Sequence, residues 1–253
     1  MIFCPLPGTY VVAQIDVQAT LAGVEDPTAF AAASGMQPRK YLVYLHTPLQ
    51  LPCPGGGPYK YLAYFVGPDP RPDEPENFIT SDMCIPIYPN TNHPTGRAPV
   101  HPETLFPFTN CSHWVGWDLE RKVRVLEGNY PDELSVKLSS RQHVDMESYC
   151  GEDLTRSHQA KMKHGGQTEV EQPIAEEEPA ASSTDEASLA QISELSECSS
   201  GSLEDIDIFG LEPRDDDELL PVVKVWLDLA GHFADKDIPN PRGFVEESEA
   251  VIR

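Results

Sequence analysis

The sequence lacks the features that mark secreted and membrane-spanning proteins. No apolar run approaches the roughly 18 residues that a membrane helix needs. Residues 1–7 contain two prolines but neither a basic region nor a sustained apolar stretch, so they do not read as a secretory signal. The six cysteines include no Cys-x-x-Cys pair, and we expect them to be free thiols in a reducing compartment. These absences predict a nuclear or cytoplasmic protein that is neither secreted nor membrane-spanning.

Positive charge is also scarce. The chain has 18 Lys and Arg residues against 41 Asp and Glu residues, for a net charge of −23. Within residues 165–218 the acids are opposed by the single Arg214, so this stretch carries most of the negative charge. Binding to phosphate backbones or anionic lipids needs Lys and Arg to displace counterions. We therefore predict no direct binding to nucleic acid or membranes.

Motifs for common cofactor chemistry are missing as well. The sequence has no GxxxxGK[ST] phosphate loop, no GxGxxG after a strand, no HExxH and no GxSxG elbow. Nothing therefore indicates phosphoryl transfer or dinucleotide chemistry, and no cofactor is predicted. A non-catalytic protein is the favoured reading, with enzymatic activity left open.

Residues 1–163 predict an α+β domain of mostly antiparallel strands with a few helices. Segments rich in aromatic and β-branched residues indicate strands at 10–15, 40–45, 60–65, 83–88, 113–117 and 122–126. The Pro/Gly-rich stretch 52–58 can reverse the chain, so the second and third strands are expected to pair. Helices are predicted at 28–33 and 144–163, and Trp114 and Trp117 are expected to anchor the core.

Two further regions follow this domain. Residues 164–214 are rich in Ser, Glu, Ala and Pro, and this composition predicts a disordered acidic linker. Residues 215–253 predict a helical hairpin, because apolar residues from Leu219 to Phe233 recur at helical spacing and Asn240-Pro241 can begin a second helix. Since such a hairpin is too small to be stable alone, we expect it to dock on the globular domain or on a partner.

One short segment suggests thiol chemistry. Residues 110–115 read Asn-Cys-Ser-His-Trp-Val, which resembles the Asn-Cys-x-His-aromatic motif around the nucleophilic cysteine of lecithin:retinol acyltransferase-like thiol enzymes. The resemblance covers six residues and implies a cysteine-dependent hydrolase or acyltransferase with Cys111 as nucleophile and the upstream His46 as base. A neighbouring imidazole would lower the pKa of the thiol. The alternative is that Cys111 is a buried, apolar-like residue.

A second candidate is a structural zinc site. Thiolates and imidazoles are the usual ligands of zinc, and Cys84, Cys111 and His113 lie within a short stretch of sequence. Only Cys111 and His113 have close spacing, so ordinary buried thiols and imidazoles are the competing explanation. A zinc-stabilised interaction module therefore remains an alternative to the favoured reading.

The third candidate lies in the acidic region. Four apolar residues are interleaved with acids there, a pattern that suits a partner with an apolar groove and a basic rim: Ile206, Ile208, Phe209 and Leu211. The run Ile-x-Ile-Phe beside acids is similar to SUMO-interacting motifs and to acidic activation segments. Docking of these residues on the chain's own domain is the alternative. Trp226 of the predicted hairpin is a further partner-binding candidate.

The favoured function is a non-catalytic intracellular regulatory or adaptor protein that binds partner proteins through the acidic linker and the C-terminal helices. Ser183 and Ser202 each precede an acid by three residues, which suits acid-directed kinases and predicts a phosphoprotein. Added phosphates would strengthen binding to a basic partner. The thiol enzyme and the zinc module are the two alternatives.

Overall fold

A computed structural model describes residues 1–33, 35–165 and 219–252. In these ranges the chain forms eight strands and four α-helices. The strands are β1 (Thr9–Ile15), β2 (Lys40–Pro48), β3 (Tyr59–Pro68), β4 (Cys84–Pro86), β5 (Cys111–Trp114), β6 (Glu120–Val125), β7 (Val136–Lys137) and β8 (Val222–Trp226). The helices are α1 (Val17–Thr20), α2 (Pro27–Ala33), α3 (Ser140–Gly165) and α4 (Arg242–Ile252). The predicted α+β class is confirmed.

Five of the strands close into a ring. β2 pairs antiparallel with β1 and β3, and β3 pairs antiparallel with β6. β8 then joins the two free edges, because it pairs parallel with β6 and antiparallel with β1. Such a ring leaves no open edge among its five strands, which removes the usual site of unwanted strand pairing.

Alternation along the strands separates two apolar clusters. The interior cluster fills the ring with inward side chains that include Val11, Val43, Ala63 and Val225. The outer cluster uses the opposite faces of the same strands, with Tyr10 and Tyr44 among its members. The outer cluster is covered by the chain between β4 and β5, and by Met146 of α3. A helix therefore packs on the outside of the ring, against the face of β1 and β2 that carries aromatic side chains.

The prediction of a first helix in the C-terminal hairpin is wrong, because this segment forms strand β8. Val222, Val223 and Val225 are buried while Lys224 is exposed and pairs with Asp16 at 2.8 Å. The apolar residues on either side of Lys224 fit a helical period as well as a strand, so the sequence pattern alone does not separate the two. Pairing with the edges of both β1 and β6 stabilises the strand over the helix.

The second predicted C-terminal helix is confirmed as α4, and it docks on the ring. Phe244 is fully buried in the interior cluster, with its ring centroid 4.7 Å from that of Phe65 and 5.5 Å from that of Tyr41. Glu247 accepts hydrogen bonds from the Tyr41 hydroxyl at 2.8 Å and from Arg39 Nε at 2.9 Å. The described part of the C-terminal region is therefore part of the same folded body as the N-terminal strands.

Other predictions are confirmed or corrected locally. The predicted helix 144–163 is α3, and the pairing of the second and third strands is the β2–β3 ladder. Trp114 is buried, as predicted, but Trp117 is 65 % exposed and does not anchor the core. No helix in the described ranges is both long and apolar enough to span a bilayer. The predicted linker falls almost wholly on residues 166–218, outside the described residues.

Candidate functional site

A cluster of imidazole, phenol and carboxylate groups lies where α3 crosses β2. His46 contributes from β2, at the point where the β2–β3 register shifts between Leu45 and Thr47. A bulge of this kind adds one residue to a strand and re-aims a side chain, and bulges are frequent beside functional sites. The shift leaves His46 without a register partner on β3 and places its imidazole beside the start of α3.

His143 and Glu147 come from α3. They are four residues apart and so lie on one face of the helix, one turn from each other. Glu147 Oε1 is 3.0 Å from His46 Nε2 and 3.6 Å from His143 Nε2. The two imidazoles are stacked, with ring centroids 4.5 Å apart and an angle of 27° between planes. Three potential metal-ligating atoms, one from each residue, lie within 4.8 Å of one another.

The remaining nitrogens of the two imidazoles are held by hydroxyl groups. The Tyr44 hydroxyl is 2.5 Å from His143 Nδ1, and Thr47 Oγ1 is 2.6 Å from His46 Nδ1. If each Nδ1–H donates to its hydroxyl, each Nε2 carries a lone pair that faces the Glu147 carboxylate. Such contacts orient the ring and fix the tautomer of a ligating histidine.

Burial disfavours the charged form of His46 and of the neighbouring His113. Desolvation lowers the pKa of His46, the positive charge that His143 would carry lowers it further, and Glu147 opposes both. His113, which is fully buried next to this pair, has its pKa lowered to about 3, mainly by desolvation and then by His46 and His143. At neutral pH His46 and His113 are therefore neutral, and the neutral imidazole is the form that coordinates metal ions.

His113 connects the cluster to the interior of the domain. Its Nε2 lies 2.9 Å from the Tyr10 hydroxyl, while its Nδ1 is buried without a hydrogen-bond partner. A crevice of about 20 Å³ beside it is bordered by Tyr64, Cys150 and Leu154. That volume accommodates about one water molecule.

The structure does not bring Cys111 and His46 together. His46 lies near Ala63 on β3, whereas Cys111 pairs with Pro68 of the same strand, roughly 17 Å farther along at about 3.4 Å per residue. Cys111 is fully buried, and its pKa is raised by desolvation and by the charges of Asp235 and Asp69. Its sulfur lies 4.0 Å from Asn110 Oδ1. This environment favours the neutral thiol over the nucleophilic thiolate.

The three residues of the predicted zinc set also have separate partners. Cys84 Sγ donates to the Ser81 carbonyl oxygen at 3.3 Å, and burial raises the pKa of this thiol to about 11. His113 faces Tyr10, and Cys111 faces Asn110. In the described ranges, the side chains that converge as metal ligands are His46, His143 and Glu147 instead.

The predicted partner-binding residues are mostly beyond what the structure describes. Ile206, Ile208, Phe209 and Leu211 lie outside the described residues. Trp226 is half-buried at the end of β8, with Lys40 Nζ 4.9 Å from its ring centroid and the His232 ring 4.9 Å away. Its indole is therefore already in contact with residues of the domain.

Sequence reasoning selected His46 but missed His143 and Glu147. The available signal was the spacing His-x-x-x-Glu at the start of a predicted helix, which places both side chains on one face. His143 stands one residue before the predicted start of that helix, outside the predicted element. Tertiary packing determines that this face of α3 lies against His46 of β2.

Comparison with known proteins gives no relative. A scan against protein-family models found no match. Searches of the curated proteins and of the solved structures also returned no match. The assignment of a function therefore rests on the residues and their geometry.

Proposed function

We propose that the protein is a non-catalytic intracellular regulatory or adaptor protein that binds partner proteins through its acidic segment, residues 166–218. The observation that carries the proposal is that folded structure holds this segment at both ends. α3 precedes it, and the β8 strand that follows it closes the ring. The segment between these two elements carries most of the net negative charge of the chain.

The position of the apolar motif supports this role. Leu211 is eight residues before Leu219, where the described structure resumes, so it can lie at most about 28 Å from that point. Ile206, thirteen residues before Leu219, can lie at most about 45 Å from the same point, so strand β8 limits the reach of the whole motif. A partner with an apolar groove and a basic rim would bind Ile206, Ile208 and Phe209 and be attracted by the acids beside them.

Two other features favour an interaction role over thiol catalysis. Cys111 is buried with a raised pKa, which is opposite to what a nucleophilic cysteine requires. The net charge of −23 argues for protein partners with basic surfaces and against nucleic acid. Phosphorylation of Ser183 or Ser202 would add negative charge to the segment and increase the attraction.

The test compares the intact chain with the variant I206A/I208A/F209A in affinity purification from the native cell, read by quantitative mass spectrometry. The matched control is L189A/I192A/L195A, which removes three apolar side chains from the same acidic segment. We expect a set of proteins to be recovered at least tenfold less with the first variant and unchanged with the control. Purified SUMO is the first defined probe, because the motif is similar to SUMO-interacting motifs.

Salt dependence separates charge from apolar contact. Binding that depends on a basic rim weakens as salt rises from low to high concentration, since screening acts on exposed charges. Equal recovery of every partner by the intact chain and by I206A/I208A/F209A would refute the proposal.

A further inference from the structure

We propose that His46, His143 and Glu147 form a binding site for a divalent transition-metal ion of the zinc type. Two ligands of a tetrahedral zinc ion lie roughly 3.3 Å apart when each is at 2.0–2.1 Å from the metal. The distances from Glu147 Oε1 to the two Nε2 atoms are 3.0 and 3.6 Å, on either side of that value. The distances from the carboxylate to both imidazoles are therefore close to an edge of a coordination tetrahedron, and all three donor atoms lie within 4.8 Å of one another.

A simple ion pair does not account for the contact between His46 and Glu147. His46 Nε2 and Glu147 Oε1 have the separation of a hydrogen bond. The buried Nε2 nevertheless makes no hydrogen bond of acceptable geometry. Leaving a buried polar atom unpaired is costly, and such atoms in native structures usually serve an ion or a functional role. Coordination of a cation by the Nε2 lone pair satisfies this atom and also places a positive charge beside the carboxylate.

The surroundings hold the ligands in position. Thr47 and Tyr44 contact the Nδ1 atoms, as outer partners do for ligating histidines. The helix that carries His143 and Glu147 is fixed farther along by Asp153, which pairs with Arg97 at 2.6 Å. Both supporting elements are regular structure, which positions ligands more precisely than a loop does.

The donor set indicates the class of ion. Two imidazoles and one carboxylate suit zinc and its neighbours, whereas Ca²⁺ and Mg²⁺ prefer all-oxygen sites and Cu(I) prefers sulfur. The Glu147 side chain is 47 % exposed, so solvent can reach the open coordination position. A bound ion would join β2 to the first turns of α3 and so stabilise the helix against the ring.

The experiment uses the full-length chain, stripped of metal with a chelator and then titrated with Zn²⁺ by calorimetry in excess Mg²⁺. Mg²⁺ occupies non-specific carboxylate sites of the acidic segment. The variants are E147Q and H143N, and their matched controls are E152Q and H158N, which alter exposed residues of the same helix. Co²⁺ absorption then reports the coordination of the ion in each protein.

We expect E147Q and H143N to weaken Zn²⁺ binding at least 100-fold, since even outer partners of metal ligands contribute 10–100-fold. The controls should bind within about twofold of the intact chain, and Zn²⁺ should raise the unfolding temperature only of proteins that bind it. Glu147 is half-exposed, so E147Q tests the site even if H143N fails to fold. Absence of Zn²⁺ binding to the intact chain, or equal affinity in E147Q and E152Q, would overturn the proposal. Either result leaves the affinity purification with I206A/I208A/F209A unaffected, because that variant does not alter the histidine cluster.

Discussion

The buried His113 gives the domain a defined sensitivity to acid. It is 1 % exposed, and it faces Tyr10 of β1, Tyr44 and His46 of β2, and His143 of α3. Its pKa falls from 6.5 to about 3 on folding, chiefly because burial disfavours the charged imidazole. In the unfolded chain the same imidazole takes up a proton below about pH 6.5. A depressed folded pKa stabilises the fold above the unfolded pKa, and this contribution is lost as the pH falls.

The size of the effect follows from linkage. At pH 5 the folded state binds almost no proton at His113, so the unfolded pKa alone sets the magnitude. Between pH 7 and pH 5 this residue lowers the free energy of unfolding by about 2 kcal/mol. The variant H113Q keeps a polar side chain next to Tyr10 and removes the titration. We therefore expect the stability deficit of H113Q relative to the intact chain to shrink by about 2 kcal/mol over this pH range.

The measurement is urea unfolding at pH 5, 6 and 7 in the presence of a chelator, with the free energy extrapolated to water. His46 also titrates in this direction, but it is present in both proteins and cancels in the comparison. The control is H101Q, which replaces an exposed histidine by the same residue type. A deficit of H113Q that stays constant from pH 7 to pH 5 would refute the reasoning.

Four further predictions concern packing and reactivity. Phe244→Ala should lower the free energy of unfolding by about 3–5 kcal/mol, because this fully buried ring belongs to the interior cluster; a loss below 1 kcal/mol by urea unfolding would contradict the docking of α4. Gly67→Ala should lower the unfolding free energy by about 1–3 kcal/mol, since the new Cβ would lie 2.5 Å from a tryptophan ring. Gly151→Ala, in open space within α3, should raise the free energy of unfolding by about 0.5–1 kcal/mol. Thermal unfolding of the two glycine-to-alanine variants checks that their effects have opposite signs. Cys111 should react with iodoacetamide at neutral pH far more slowly than the exposed Cys53, as read by peptide mass spectrometry; a faster rate at Cys111 would restore the thiol-enzyme alternative.

The sequence by itself determined the elements whose signals are local. Strands β1, β2 and β3 alternate apolar and aromatic residues over their own length, and the Pro/Gly-rich turn between β2 and β3 specifies their antiparallel pairing. Helix α3 follows from composition and period, and the excess of acids in residues 165–218 is a property of the sequence alone. These features need no knowledge of distant parts of the chain.

Only the tertiary structure decided β8 and the candidate metal site. The mainly apolar residues 222–226 fit both a helix and a strand, and the parallel pairing of β8 with β6 is a contact between distant parts of the chain. Likewise, His46 was recognisable as a reactive side chain, but its neighbours depend on how α3 packs across the bulge in β2. Sequence order suggested Cys111 as its partner, while packing supplied His143 and Glu147. Contacts between residues far apart in sequence depend on the whole fold, because no local propensity encodes which faces will meet.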